Sequence, residues 1–212
     1  MKKIFLTSFL AFSLGLISCK SDAKKEKSTE TKEEVKEDTQ KNTADFQVEK
    51  AQTNINFTAY KTTDKVAVGG QFKKIDILNG GDGNSVKEAI NNTEFSIPVS
   101  SLATKDTSRD YKIRKFFFGV MSNTKLLSGK LSIVDDANGI ASITMNGETK
   151  DVPFTYTIVN NEFNMQSIID VNTWNATAAL ASLNEVCEDL HRGADGISKT
   201  WSEVALNITT KF

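Results

Sequence analysis

The chain has 212 residues, a length that suits one domain with appendages. Its 26 Lys and Arg nearly balance 27 Asp and Glu, leaving a formal charge of -1 that speaks against a nucleic-acid partner. Thirteen Phe, with ample Val, Ile and Leu, are enough for a core.

Residues 1–18 read as a lipoprotein signal peptide. Lys2 and Lys3 give a basic start, and the apolar run from Ile4 to Ile17 is interrupted by Thr7, Ser8, Ser13 and Gly15. It is shorter than the ~20 residues of a bilayer span, so a removable leader fits better. Leu16-Ile17-Ser18-Cys19 resembles the lipobox of bacterial lipoproteins, which implies a palmitate-type acyl group on Cys19. The implied location is the bacterial cell envelope, on its periplasmic or surface face, with the membrane reached through the anchor. Two or three acyl chains are needed to hold firmly, since each buried CH₂ contributes ~0.8 kcal/mol.

Residues 19–44 are almost entirely Lys, Glu, Asp, Ser and Thr, with a single Val35 in the stretch after Ala23. Such a segment buries too little apolar area to offset its ordering entropy and is expected to be a disordered tether. Its typical reach is roughly 25–30 Å.

The folded domain is expected over residues 45–212. Apolar residues there recur at every second position: Ile55, Phe57, Ala59; Val66, Val68, Gly70, Phe72; Phe95, Ile97, Val99. The pattern returns at Val152, Phe154, Tyr156, Ile158, at Phe163, Met165, Ser167, Ile169, and from Val204 to Phe212. Period two with one apolar side predicts half-buried antiparallel strands, at least seven of them. Asn160-Asn161 predicts a hairpin turn, and Asn138-Gly139 and Asn146-Gly147 are read as turns bracketing Ile140 to Met145. Pro98 lies inside an alternating run, which predicts an edge position or a bulge.

Two segments break the alternation. Thr107 to Phe118 predicts a short helix or irregular turn with an aromatic end. From Asn175 to Leu190, Ala176, Ala179, Leu180, Leu183, Val186, Cys187 and Leu190 recur at three and four, which predicts a longer helix stopping near Gly193. The fold class expected is mainly β: an antiparallel barrel of about eight strands capped by one short and one longer helix.

Catalytic constellations are scarce, and no enzyme activity is expected. The one histidine, His191, stands four residues after Cys187 on the predicted helix, so both can face one metal. Two ligands do not make a structural zinc site, and the plainer reading places Cys187 in the apolar stripe and His191 in the last helical turn. No metal, cofactor or disulfide is expected. Asn79 to Ser85 (NGGDGNS) lacks the spaced carboxylates of a calcium loop and reads as a flexible turn. What remains is apolar surface. A barrel of eight strands either fills with side chains or leaves room for one small ligand, and alternation leaves both open. If hollow, it would be lined by Phe57, Phe72, Phe95, Ile97, Phe154, Tyr156, Phe163, Met165 and Leu206, with the Tyr156 hydroxyl available to a polar head.

Three stretches together resemble the YceI-like family: FQVEKAQTNINFTAYKTTDKVAVGGQF, FSIPVSSLATKDTSRDYKIRKFFF and MNGETKDVPFTYTI. The resemblance implies a lipocalin-like barrel that carries a polyisoprenoid-type chain and is not an enzyme. The chain departs from the family pattern in having Thr53 or Tyr60 where a histidine is common in the first strand region, and in the long 175–190 helix. The cargo expected is a hydrophobic small molecule: a polyisoprenoid, quinone-like or fatty acyl chain. The alternative is a stress-related or structural envelope lipoprotein with a filled barrel. The sequence does not fix the oligomeric state and allows a dimer.

Overall fold

A computed structural model describes residues 44–212. The expected leader, Cys19 and nearly all of the tether lie outside the described residues. A small ladder pairs β1 (Phe46–Gln47) with β5 (Asp82–Gly83). All other strands form one antiparallel sheet of ten. Eight of these carry most of the wall: β2 (Gln52–Lys61), β3 (Val66–Phe72), β6 (Glu94–Pro98), β8 (Leu126–Ile133), β9 (Asn138–Met145), β10 (Glu148–Val159), β11 (Glu162–Asp170) and β12 (Thr200–Lys211). The short β4 (Asp76–Asn79) and β7 (Leu102–Ala103) are the outermost strands of the order β4-β6-β8-β9-β10-β11-β12-β2-β3-β7.

The sheet is curled. Ile55 of β2 shares a buried cluster with Phe95 and Ile97 of β6, although five strands separate β2 from β6 along the ladder. The two margins are also joined by the chain itself, because residues 73–75 alone link β3 to β4. The result is the expected lipocalin-like architecture with an unpaired seam.

Side-chain period and register together place the inward rows. Tyr156, Met165, Ile208, Ile55 and Phe72 stand opposite one another across β10, β11, β12, β2 and β3. Three inward phenylalanines face glycines directly: Phe57 opposite Gly70, Phe95 opposite Gly129, and Phe154 opposite Gly139. At each pair the ring tip occupies the space a β-carbon would take. The rings therefore rest against the wall.

Hairpin chemistry fixes the ends. Asn160 and Asn161 have φ of 51° and 60°, the left-handed pair a tight two-residue turn requires. Asn146 and Gly147 serve the β9–β10 turn in the same way, with φ of 52° and 75°. Asn138 and Gly139 differ from the expectation and belong to β9. There the Asp135 carboxylate accepts from the Ala137 and Asn138 amides, 2.8 Å each, and makes the turn one step earlier. Pro98 is the last residue of β6 and pairs only with β8, as an edge-like position permits.

Four short helices cover the two ends. At one end lies α1 (Val86–Ile90), opened by a reciprocal cap: the Glu88 amide donates to Ser85 Oγ, and the Asn84 amide to the Glu88 carboxylate. The Asn79–Ser85 segment is thus built into β5 and a helix cap, where a flexible turn was expected. At the other end lie α2 (Thr107–Lys112), continued by a π-helical turn at Ile113–Phe117, and α3 (Thr177–Val186) with α4 (Glu188–His191). The expected long helix is therefore split at Cys187, whose φ is -116° and ψ 13°. After the break Leu190 points outward, 58% exposed, and Gly193 is no helix cap because Arg192 already ends α4.

Candidate functional site: an apolar lumen with a cationic recess

The lumen contains a cavity of about 220 Å³. Its wall comes from β2 (Ile55, Phe57, Ala59), β3 (Phe72), β6 (Phe95, Ile97), β8 (Leu127, Leu131), β9 (Ala141, Ile143, Met145), β11 (Met165, Ile169) and β12 (Val204, Leu206, Ile208). Ile113 and Phe117 of the π-helical turn and Leu180 and Leu183 of α3 close its helical end. Thr200 is the only hydroxyl in the wall, and no charged side chain lines it. The register of β12 against β2 slips between Thr200 and Val204. In this bulge Trp201 lines the cavity while its indole N–H donates to the Thr62 carbonyl at 2.8 Å.

Six of the nine side chains singled out from alternation border this space: Phe57, Phe72, Phe95, Ile97, Met165 and Leu206. Phe154, Tyr156 and Phe163 point inward but do not border it. They stack on one another, with ring centroids 5.2 to 6.4 Å apart, and fill the lumen toward the Asn160-Asn161 end. The Tyr156 hydroxyl donates to the Asp135 carbonyl at 2.6 Å and is engaged there. Burial raises its pKa above the usual tyrosine value. Strand β10 contributes nothing to the cavity wall.

A second recess, of about 160 Å³, adjoins the cavity at the helical end. The two share Ala59, Ile113, Leu183 and Thr200. Lys61, Asp106, Arg109, Lys112, Cys187 and His191 lie on its rim, with Tyr60, Val68, Ser108 and Leu190. Lys61 donates to the Leu190 carbonyl at 2.9 Å, and Arg109 lies 3.6 Å from the Asp106 carboxylate. Thr200 Oγ1 donates to Asn184 Oδ1 at 2.9 Å and so accepts from His191 Nδ1 at 2.7 Å. This leaves His191 Nε2 as an acceptor. Burial and the nearby Lys61, Lys112 and Arg109 lower the His191 pKa to about 4, so the ring is neutral at pH 7. Burial raises the Cys187 thiol above its usual value. Among the described residues no three His, Cys, Asp or Glu side chains gather to hold a metal.

The polar part of the Thr107–Phe118 motif is structural. Asp110 is buried and accepts from the Thr104 amide and hydroxyl at 2.7 and 2.6 Å. Arg114 donates to the Leu102 carbonyl at 3.0 Å. Together they staple the helical cap to β7. Thr53, in the first strand region, bonds to Thr210 at 3.1 Å, and Tyr60 stacks under Lys65.

No curated protein matches the chain. Among solved structures, it is similar to a polyisoprenoid-binding domain from Saccharophagus degradans implicated in plant cell wall breakdown, with a TM-score of 0.52 and 12% identity over 74% of this chain and 91% of that one. It is likewise similar to BcnA of Burkholderia cenocepacia, with a TM-score of 0.54 and 16% identity over 78% of this chain and 98% of that one. At these identities the likeness speaks for the fold. The model of the YceI-like domain matches residues 46–212, so the chain belongs to the YceI-like family.

Proposed function

We propose that the protein binds a long apolar molecule in its lumen, for storage or transfer, and that an acylated Cys19 tethers it to a bacterial membrane. The observation that carries the first half is the cavity wall, which offers hydrocarbon on all sides and a single hydroxyl. Each CH₂ transferred there from water contributes ~0.8 kcal/mol, so a chain binds without a polar partner. The polyisoprenoid-binding Saccharophagus degradans neighbour supports an apolar cargo. The scarcity of catalytic constellations supports binding over catalysis.

Size limits the cargo. A dry cavity of ~150 Å³ accepts benzene, which scales to roughly nine carbons for this one. A longer chain must therefore extend past the helical cap or displace wall side chains. The tether rests on the Leu16-Ile17-Ser18-Cys19 sequence. The test is organic extraction of the folded protein from its own host, followed by mass spectrometry. Near-stoichiometric recovery of one apolar species is expected, and recovery of none overturns the lumen reading.

A further inference from the structure

The recess at the helical end differs from the cavity in one respect that the cargo must meet: its rim is cationic. Lys61, Arg109 and Lys112 face it with Asp106 as the one carboxylate, and Tyr60, His191 and Cys187 are its other titratable groups. Two of the three cations are already engaged. Lys61 holds the Leu190 carbonyl, and Arg109 lies beside Asp106. Among the described residues the half-buried Lys112 has neither a hydrogen bond nor an ion pair through its side chain. The four side chains shared with the cavity make the recess the continuation of the lumen.

We propose that this recess is a head-group site for a monoanionic carboxylate, so that the molecule in the lumen is a fatty-acid-like chain whose carboxylate pairs with Lys112. The inference rests on the lumen reading above. The chemistry of the rim selects the charge. Lys112 is the one rim cation with no bonded partner, so it is placed to pair with one negative charge. The second charge of a phosphate monoester would have to draw Lys61 off the Leu190 carbonyl or lie near Asp106 in a half-buried place, where unpaired charge is costly. A neutral alcohol could accept from Lys112 but would leave its charge uncompensated. The Ser108 hydroxyl on the rim is available to the second carboxylate oxygen.

The test uses delipidated protein and three probes with the same ten-carbon chain, matched to the cavity: decanoate, decyl phosphate and decanol. Binding at neutral pH is followed by the fluorescence of Trp201, which lines the cavity, against the constant background of Trp174, which is 1% exposed. Decanoate is expected to bind at least about tenfold tighter than decanol, as charge-assisted hydrogen bonds imply, and tighter than decyl phosphate. Lys112→Met should bring the decanoate-to-decanol ratio near one, and Lys112→Arg should keep it, which separates loss of charge from misfolding. The single histidine gives a second readout: decanoate, but not decanol, should raise the His191 titration midpoint, read by NMR. Equal binding of decanoate and decanol overturns the carboxylate site while leaving the lumen reading intact. Tighter binding of decyl phosphate overturns the choice of head group. Binding of none of the three overturns both.

Discussion

Replacing Gly70 by Ala and, separately, Gly139 by Ala compares the hollow and the packed parts of the lumen under matched geometry. At Gly70 the added carbon would stand 2.8 and 2.9 Å from the two Cε atoms of Phe57; at Gly139, 2.8 and 2.6 Å from those of Phe154. In each case the ring Cζ stands closer still, and carbon atoms settle at ~3.5–4.0 Å, so each ring must retreat by roughly 1–2 Å. Phe57 borders the cavity and has room to do so. Phe154 is 3% exposed and hemmed in by Tyr156 and Phe163, at 6.2 and 6.4 Å between centroids. Overpacking costs ~1–3 kcal/mol, while Gly→Ala in a compatible backbone gains ~0.4–1 kcal/mol through the unfolded chain. Gly139→Ala should therefore lose ~1–2 kcal/mol, and Gly70→Ala should stay within ~0.5 kcal/mol of the parent. For a domain of this size Tm falls by ~2–4 °C per kcal/mol. Calorimetry on delipidated protein should find a drop of ~2–8 °C for Gly139→Ala and under ~2 °C for Gly70→Ala. Equal drops would refute the claim that Phe57 has empty space beside it.

The His191 ring predicts a loss of stability in mild acid. Its folded pKa of about 4 lies below the ordinary histidine value of about 6.5, so the unfolded state binds the proton more readily. The contribution is complete above pH ~6.5 and is lost as pH falls toward ~4. The full shift would be worth about 3 kcal/mol, and half-exposure of the ring cuts this to ~1–2 kcal/mol. His191→Gln should flatten that window in denaturant titrations, and an unchanged pH profile would count against it. Trp174→Ala removes a ring that is 1% exposed and a 3.0 Å bond to the Ile143 carbonyl, so chemical denaturation should show a loss of ~3–5 kcal/mol. A loss under ~1 kcal/mol would contradict its place in the core. Cys19→Ser in the full-length chain should abolish incorporation of a labelled fatty acid and release the protein from membranes; labelling that persists would refute the anchor.

Alternation made most of the sheet legible, because a strand with one dry face has to write its period into the sequence. Strand β8 escaped, although Leu127, Gly129, Leu131 and Ile133 alternate, because Ser128-Gly129 has turn composition and the glycine hides the inward row. The glycine is there for Phe95, which only the register reveals. Asn138-Gly139 has turn composition, but Gly139 serves to admit the Phe154 ring. Alternation also reports which face a residue points to and nothing of its height in the barrel. Phe57 and Phe154 look alike in sequence, yet one borders the cavity and the other sits in the aromatic stack. The helix over 175–190 read as continuous because its apolar spacing is. The break at Cys187 turns His191 toward Thr200, a partner from another element. The cationic recess had no local signal at all: Lys61, Arg109 and His191 come from three distant segments that the curled sheet brings to one end.

The central claim is that apolar side chains enclose vacant, dry space. Crystals of delipidated protein pressurised with xenon test it most directly, since apolar cavities of this size take up xenon. The account predicts ordered xenon within the wall formed by Phe57, Phe95, Leu131, Met165 and Leu206, and none among Phe154, Tyr156 and Phe163. A lumen that takes up no xenon, its side chains meeting across the centre, would contradict it.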